Sequence, residues 1–138
     1  MNSDTVKAIE DNITSILTAQ GFKVEDLSTD PDVDVTPLAV ILHKGEDFGA
    51  AHGQRPIYNE INYEIAIRFN QKYPSTSRDK IAEWAHKVRE NIIVNGLNTG
   101  ALATSKLVSW VNHVGYDIDY TPPITKLSYK LTVRYREG

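Results

Sequence analysis

Two stretches of strict alternation constrain this chain more than any other feature. Over residues 60–70, Ile61, Tyr63, Ile65, Ile67 and Phe69 alternate with Asn62, Glu64, Ala66, Arg68 and Asn70. Near the other end, Leu127, Tyr129, Leu131, Val133 and Tyr135 alternate with Lys126, Ser128, Lys130, Thr132, Arg134 and Arg136. Successive side chains on a strand point to opposite faces, so each stretch reads as a strand with one apolar and one polar face. The apolar faces of such strands need an amphipathic cover.

Two helical stretches can supply it. Val6, Ile9, Ile13, Ile16 and Leu17 recur at three- and four-residue spacing, with Ser3 or Asp4 as the cap and Gly21 as the left-handed stop. Ile81, Trp84, Ala85, Val88 and Ile92 form a second stripe. Thr76 with Asp79 resembles a capping box ahead of it, Asn95-Gly96 closes it, and Pro74 ends the strand before it. Residues 22–27 are compatible with a short strand. Residues 28–37, with two prolines and three aspartates, read as a surface loop. The apolar run 38–42 predicts a strand buried on both faces. Residues 44–58 carry three glycines at four-residue spacing and few apolar anchors. They predict a loop of a length that is uncommon in compact domains and often functional. In residues 107–120, Val108, Trp110, Val114, Tyr116, Ile118 and Tyr120 share one face, with a bulge at Gly115. Thr121-Pro122-Pro123 links this strand to the last one. The order is helix-strand-strand-helix-strand-strand. It predicts an α+β fold, a mostly antiparallel sheet with two helices packed on one face, in a single domain of 138 residues. Trp84, Ile65, Ile67, Leu131 and Val133 are expected to be buried together.

Composition removes several classes of chemistry. There is no cysteine, which excludes disulfides, thiol nucleophiles, Cys-type zinc sites and iron–sulfur clusters. No apolar run approaches the roughly 20 residues of a membrane span. Residues 1–10 hold two acids and no apolar block, unlike a secretory leader, so an intracellular location is expected. Asp30, Asp32 and Asp34 open like a calcium loop, but Val35 stands where the glycine belongs and Ile41 where the glutamate belongs. No two of His43, His52, His86 and His113 have the helical spacing of a metal pair. His86 lies off its helix stripe, and His113 falls on the polar parity of its strand. The one catalytic grouping on offer, His52 with Asp47 and Ser105, lacks a G-x-S-x-G signature. Gly45, Gly49 and Gly53 fit neither a phosphate loop nor a dinucleotide fingerprint. No catalysis, metal or cofactor is expected.

Charge is distributed unevenly. Residues 1–60 hold 11 acids and 4 bases, a net of −7, and residues 61–138 hold 7 acids and 11 bases, a net of +4. Such halves suit head-to-tail docking between copies, unless they intermingle in space. Lys126, Lys130, Arg134 and Arg136 make a basic stripe on one strand face. The stripe is open to three readings: a solvated face, a track for a phosphate backbone, or a surface meeting an acidic patch on an adjacent subunit. Aromatics that point to the opposite face weigh against base stacking. In the 44–58 loop, Phe48 is the one large apolar residue and the best anchor, with His52 and Arg55 as polar candidates beside it.

Several strings, in order, resemble the tail-terminator family of long-tailed bacteriophages. They are Pro37-Leu38-Ala39-Val40-Ile41-Leu42, Lys44-Gly45-Glu46, Tyr63-Glu64-Ile65-Ala66-Ile67-Arg68-Phe69, Gly115-Tyr116-Asp117 and Leu127-Ser128-Tyr129-Lys130-Leu131-Thr132-Val133-Arg134-Tyr135. The resemblance spans residues 5–136. It implies a structural protein of the virion tail, assembled in the cytoplasm of a bacterial host. Such proteins form a hexameric ring on the last ring of the tail tube, stop tube polymerisation and dock head-completion proteins, while DNA passes through the channel. On this reading Asp47, Phe48, His52 and Arg55 lie at a subunit or tail-tube interface, and the basic stripe faces the channel or a neighbour. Another tail-completion or head–tail joining protein of the same fold, and a nucleic-acid-binding module using the stripe, are the alternatives.

Overall fold

The computed structural model describes residues 2–24, 38–49, 57–70, 74–121 and 124–137, with side chains for all of these except 69, 70, 74–79 and 121. The elements are helix α1 (Asn2–Ala19), strands β1 (Lys23–Val24), β2 (Leu38–Asp47) and β3 (Tyr58–Asn70), helices α2 (Pro74–Asn91) and α3 (Val94–Leu97), a 3-10 turn (Gly100–Leu102), and strands β4 (Val108–Thr121) and β5 (Ile124–Arg136).

The alternating stretches form the middle of the sheet. Its order is β1-β2-β3-β5-β4. β3 pairs with β5 along its whole length, from Tyr58 opposite Arg136 to Asn70 opposite Ile124. That register aligns the apolar parity of both strands, so Ile61 faces Val133 and Ile65 faces Tyr129. β1 runs parallel to β2, while the other three pairings are antiparallel, so the sheet is mixed. The expected strand at 22–27 is seen as the two residues of β1, and the loop at 28–37 lies outside the described residues. α2 leads from β3 to β4, which lies beyond β5, so the helix crosses over that strand.

One apolar cluster joins Ile9, Ile13 and Leu17 of α1, Ile81, Ala85, Val88 and Ile92 of α2, and the inward residues of β3 and β5. Both long helices therefore cover the same face, as the fold reading expected. The short α3 adds a third helix, with Leu97 in the core.

Other expectations need correction. α1 begins at Asn2, so Ser3 and Asp4 lie within its first turn instead of capping it. α2 begins at Pro74, because a proline at the first helical position lacks only an N–H that would be unpaired anyway. It stops at Asn91, and Asn95-Gly96 belongs to α3. Trp84 is half-buried at the rim of the α2 stripe, with its ring 5.0 Å from Phe22 and 4.6 Å from Lys87 Nζ. In the 38–42 run only Leu38 and Ala39 are buried. β2 continues past that run to Asp47 through a bulge at Lys44, so residues 44–47 are strand and not loop. β4 carries two bulges, at Ser109 and Val114.

Candidate functional site

Asp47 ends β2, directly opposite Glu60 of β3, and Phe48 follows it with 75% of its surface exposed. A buried polar network holds this corner. Gly49 N–H donates to Asn59 Oδ1 at 2.9 Å. Asn59, fully buried, donates through Nδ2 to Tyr135 Oη at 3.2 Å and Glu137 Oε1 at 2.8 Å. Asn2 Nδ2 donates to the same Glu137 oxygen at 2.8 Å, and Tyr135 Oη donates to Glu46 Oε1. Burial, reinforced by the bond to Glu46, pushes the Tyr135 hydroxyl up to about 12. At Gly49 a Cβ would lie 2.3 Å from the Tyr58 carbonyl oxygen, so only glycine permits this approach. Phe48 thus projects from an anchored strand end. His52 and Arg55 lie outside the described residues.

Lys126, Lys130, Arg134 and Arg136 stand on the face of β5 opposite the core, as their parity predicts. They are not an uncompensated stripe. Arg134 donates through Nη2 and Nε to Glu60 Oε1, at 2.6 and 3.1 Å. Lys130 Nζ lies 3.2 Å from Asp117 Oδ2. Glu64 stands beside Lys130 on β3, and Asp119 beside Lys126 on β4. Strand pairing therefore sets acids against this row of bases. The aromatic reading also changes. The bulge at Ser109 turns Trp110 to the outer face, where the Arg134 guanidinium carbon lies 5.0 Å from its ring centroid.

The bulges also build a cleft that sequence parity missed. Ala85, His86 and Arg89 of α2 face His113, Val114, Gly115 and Tyr116 of β4 and Tyr129 of β5 across a half-open cleft of about 260 Å³. His113 pairs with Leu131 and points inward, away from the polar face expected for it. Its Nε2 lies 2.9 Å from the Ile92 carbonyl oxygen. That oxygen can only accept, so Nε2 carries the proton and Nδ1 accepts from Tyr129 Oη at 2.6 Å. Burial lowers the His113 pKa; the Ile92 carbonyl opposes the shift and the nearby Arg89 charge adds to it. Burial raises Tyr129 to about 12, against the pull of Arg89. Tyr116 stacks on Tyr129 with centroids 6.5 Å apart. Among the described residues, no acid pairs with Arg89. Val114, Tyr116 and Tyr120 of β4 and Ile93 beside α3 are large exposed apolar side chains. Gly115 was the one sequence signal of this cleft, since its φ of 145° accompanies the bulge that reorients its neighbours.

Among the described residues no group of three or more His, Asp or Glu side chains could hold a metal ion. Asp47 and Ser105 lie in β2 and in the turn before β4, while His52, the remaining member of the catalytic grouping, is outside the described residues. No helix is long and apolar enough to cross a membrane, among the described residues.

No protein-family model and no curated protein matches this chain. Among solved structures, its fold is similar to that of a chain from the virion of a native gene transfer agent particle. The two share 9% identity with a TM-score of 0.58, over 94% of this chain and 92% of that one. At that identity, what the comparison shows is a shared fold.

Proposed function

We propose that this chain is a structural protein of a phage-like virion that forms a ring on the end of the tail tube, ends tube growth and presents a docking surface to head-completion proteins. The observation that carries the reading is the fold likeness to a virion chain over nearly the full length of both chains. The ordered strings that resemble those of tail terminators support the finer assignment to the tube end. The work is docking and not catalysis. A ring needs two different complementary patches on each copy, and the two sides of this sheet differ: β2 ends in an exposed acid and phenylalanine, and β4 borders a cationic cleft. On this reading the basic stripe is a paired outer face and not a nucleic-acid site, because Glu60 and Asp117 stand against Arg134 and Lys130.

The test is sedimentation velocity and negative-stain microscopy of the purified protein, alone and with tail tubes. A closed ring, free or seated on tube ends, is the expected result. A protein that stays monomeric in both conditions overturns the reading. Binding to tube ends or portals without ring closure would move it to a tail-completion or head–tail joining protein, which the same fold likeness also supports.

A further inference from the structure

We infer that the cleft between α2 and the β4 bulge is a socket for the Asp47–Phe48 corner of a second copy of this chain. This rests on the self-assembly proposed above and names the contact that makes it. The cleft is half-open and, at about 260 Å³, falls below the roughly 300–1,000 Å³ usual for small-molecule pockets. A volume of this kind suits one or two side chains of a partner. Its chemistry specifies which. Arg89 lines the cleft together with His113 and Tyr129 and makes no ion pair among the described residues. The stacked rings of Tyr116 and Tyr129, with Val114 at the mouth, give an apolar wall. The matching occupant is a carboxylate next to a large apolar side chain.

That pair exists at the opposite side of the sheet. Asp47 is an exposed acid, and Phe48 beside it is the most exposed large apolar residue described. The Asn59 network fixes the strand end that carries both, so little order is lost on docking. An exposed ion pair alone contributes little, so the phenylalanine, by excluding water from the Arg89 contact, has to supply the anchor. Prong and socket lie on different flanks of one sheet in the order β1-β2-β3-β5-β4, which makes the contact heterologous and able to propagate from copy to copy.

The experiment uses two complementary variants of the full chain. Arg89→Asp disables the socket and keeps the prong, while Asp47→Asn combined with Phe48→Ala disables the prong and keeps the socket. All three sites are exposed, so both proteins are expected to melt near the wild-type temperature. Sedimentation velocity should show each variant alone as a monomer under conditions where the wild type assembles. An equimolar mixture should give a dimer and nothing larger, because only one prong and one socket remain per pair. If Arg89→Asp misfolds, Arg89→Gln removes the charge alone and should show the same loss of assembly. A wild type that assembles while the variants assemble equally well overturns the socket and leaves the ring reading standing, as does a mixture that stays monomeric. A wild type that is monomeric alone and on tail tubes overturns both.

Discussion

Asn59 is fully buried, and its side chain both accepts and donates hydrogen bonds inside the protein. Its oxygen takes the Gly49 N–H, and its amide nitrogen serves Tyr135 and Glu137. Replacing it by leucine leaves those buried and part-buried groups without that partner. Asn59→Leu should destabilise the protein by about 1–3 kcal/mol, read from the shift in the urea midpoint. The buried tyrosines give a second prediction. Tyr129 and Tyr135 hold their protons to about pH 12, whereas the unfolded chain releases them near 10. Between those values the unfolded state binds fewer protons, so stability falls as pH rises. The melting temperature should hold up to about pH 10 and drop steadily toward 12, with the share of the tyrosinate absorbance that belongs to the buried tyrosines appearing only on unfolding. His113 acts at the other end. Its lowered pKa means the unfolded chain protonates first, so stability also declines as pH falls below the ordinary histidine value of 6.5. Parity along β5 was readable residue by residue, because nothing interrupts its alternation. Trp110 and His113 depart from the expected parity because the bulge at Ser109 adds one residue and reverses the faces of residues 110–113, until the bulge at Val114 restores them for Tyr116, Ile118 and Tyr120.

Helix stripes and long alternating strands declared themselves in the sequence because burial on one face imposes a period of 3.6 or 2. Elements held by partners left weaker marks. β1 is two residues long and exists through its pairing with Leu38 and Ala39. The second half of β2 reads as Lys-Gly-Glu-Asp, a turn-like composition, yet β3 is long enough to keep pairing with it as far as Asp47. Trp84 lies on the stripe of α2 but at the rim of the core, half-buried against Phe22 with Lys87 over its ring. Trp84→Ala should therefore cost about 2 kcal/mol, against the 3–5 typical of a fully enclosed tryptophan. Ile65→Ala, at a site with no exposure, should cost at least as much, about 2–5 kcal/mol, although it removes a smaller side chain. Chemical denaturation of the two variants side by side decides the order.

For the whole molecule, one face of the sheet meets both long helices, and the other displays paired acids and bases. The class of the fold was legible because one-sided strands and two amphipathic helices admit few arrangements. Strand order was not, since placing β5 between β3 and β4 depends on long-range pairing that local pattern does not encode. Nor was the charge balance of the outer face, which arises when Glu60 and Asp117 arrive from different strands. With those partners in place, duplex DNA should show no steeply salt-dependent retention in a gel-shift assay at near-physiological ionic strength. Strong binding that weakens several decades with added salt would contradict that balance.

The kinks at Lys44 in β2 and at Ser109 and Val114 in β4 have a further effect. Straight, regular borders template endless addition of new strands, and kinked ones do not. Concentrated solutions of this protein should accordingly stay clear and fail to seed thioflavin-positive fibrils, even though tyrosine and valine line one flank.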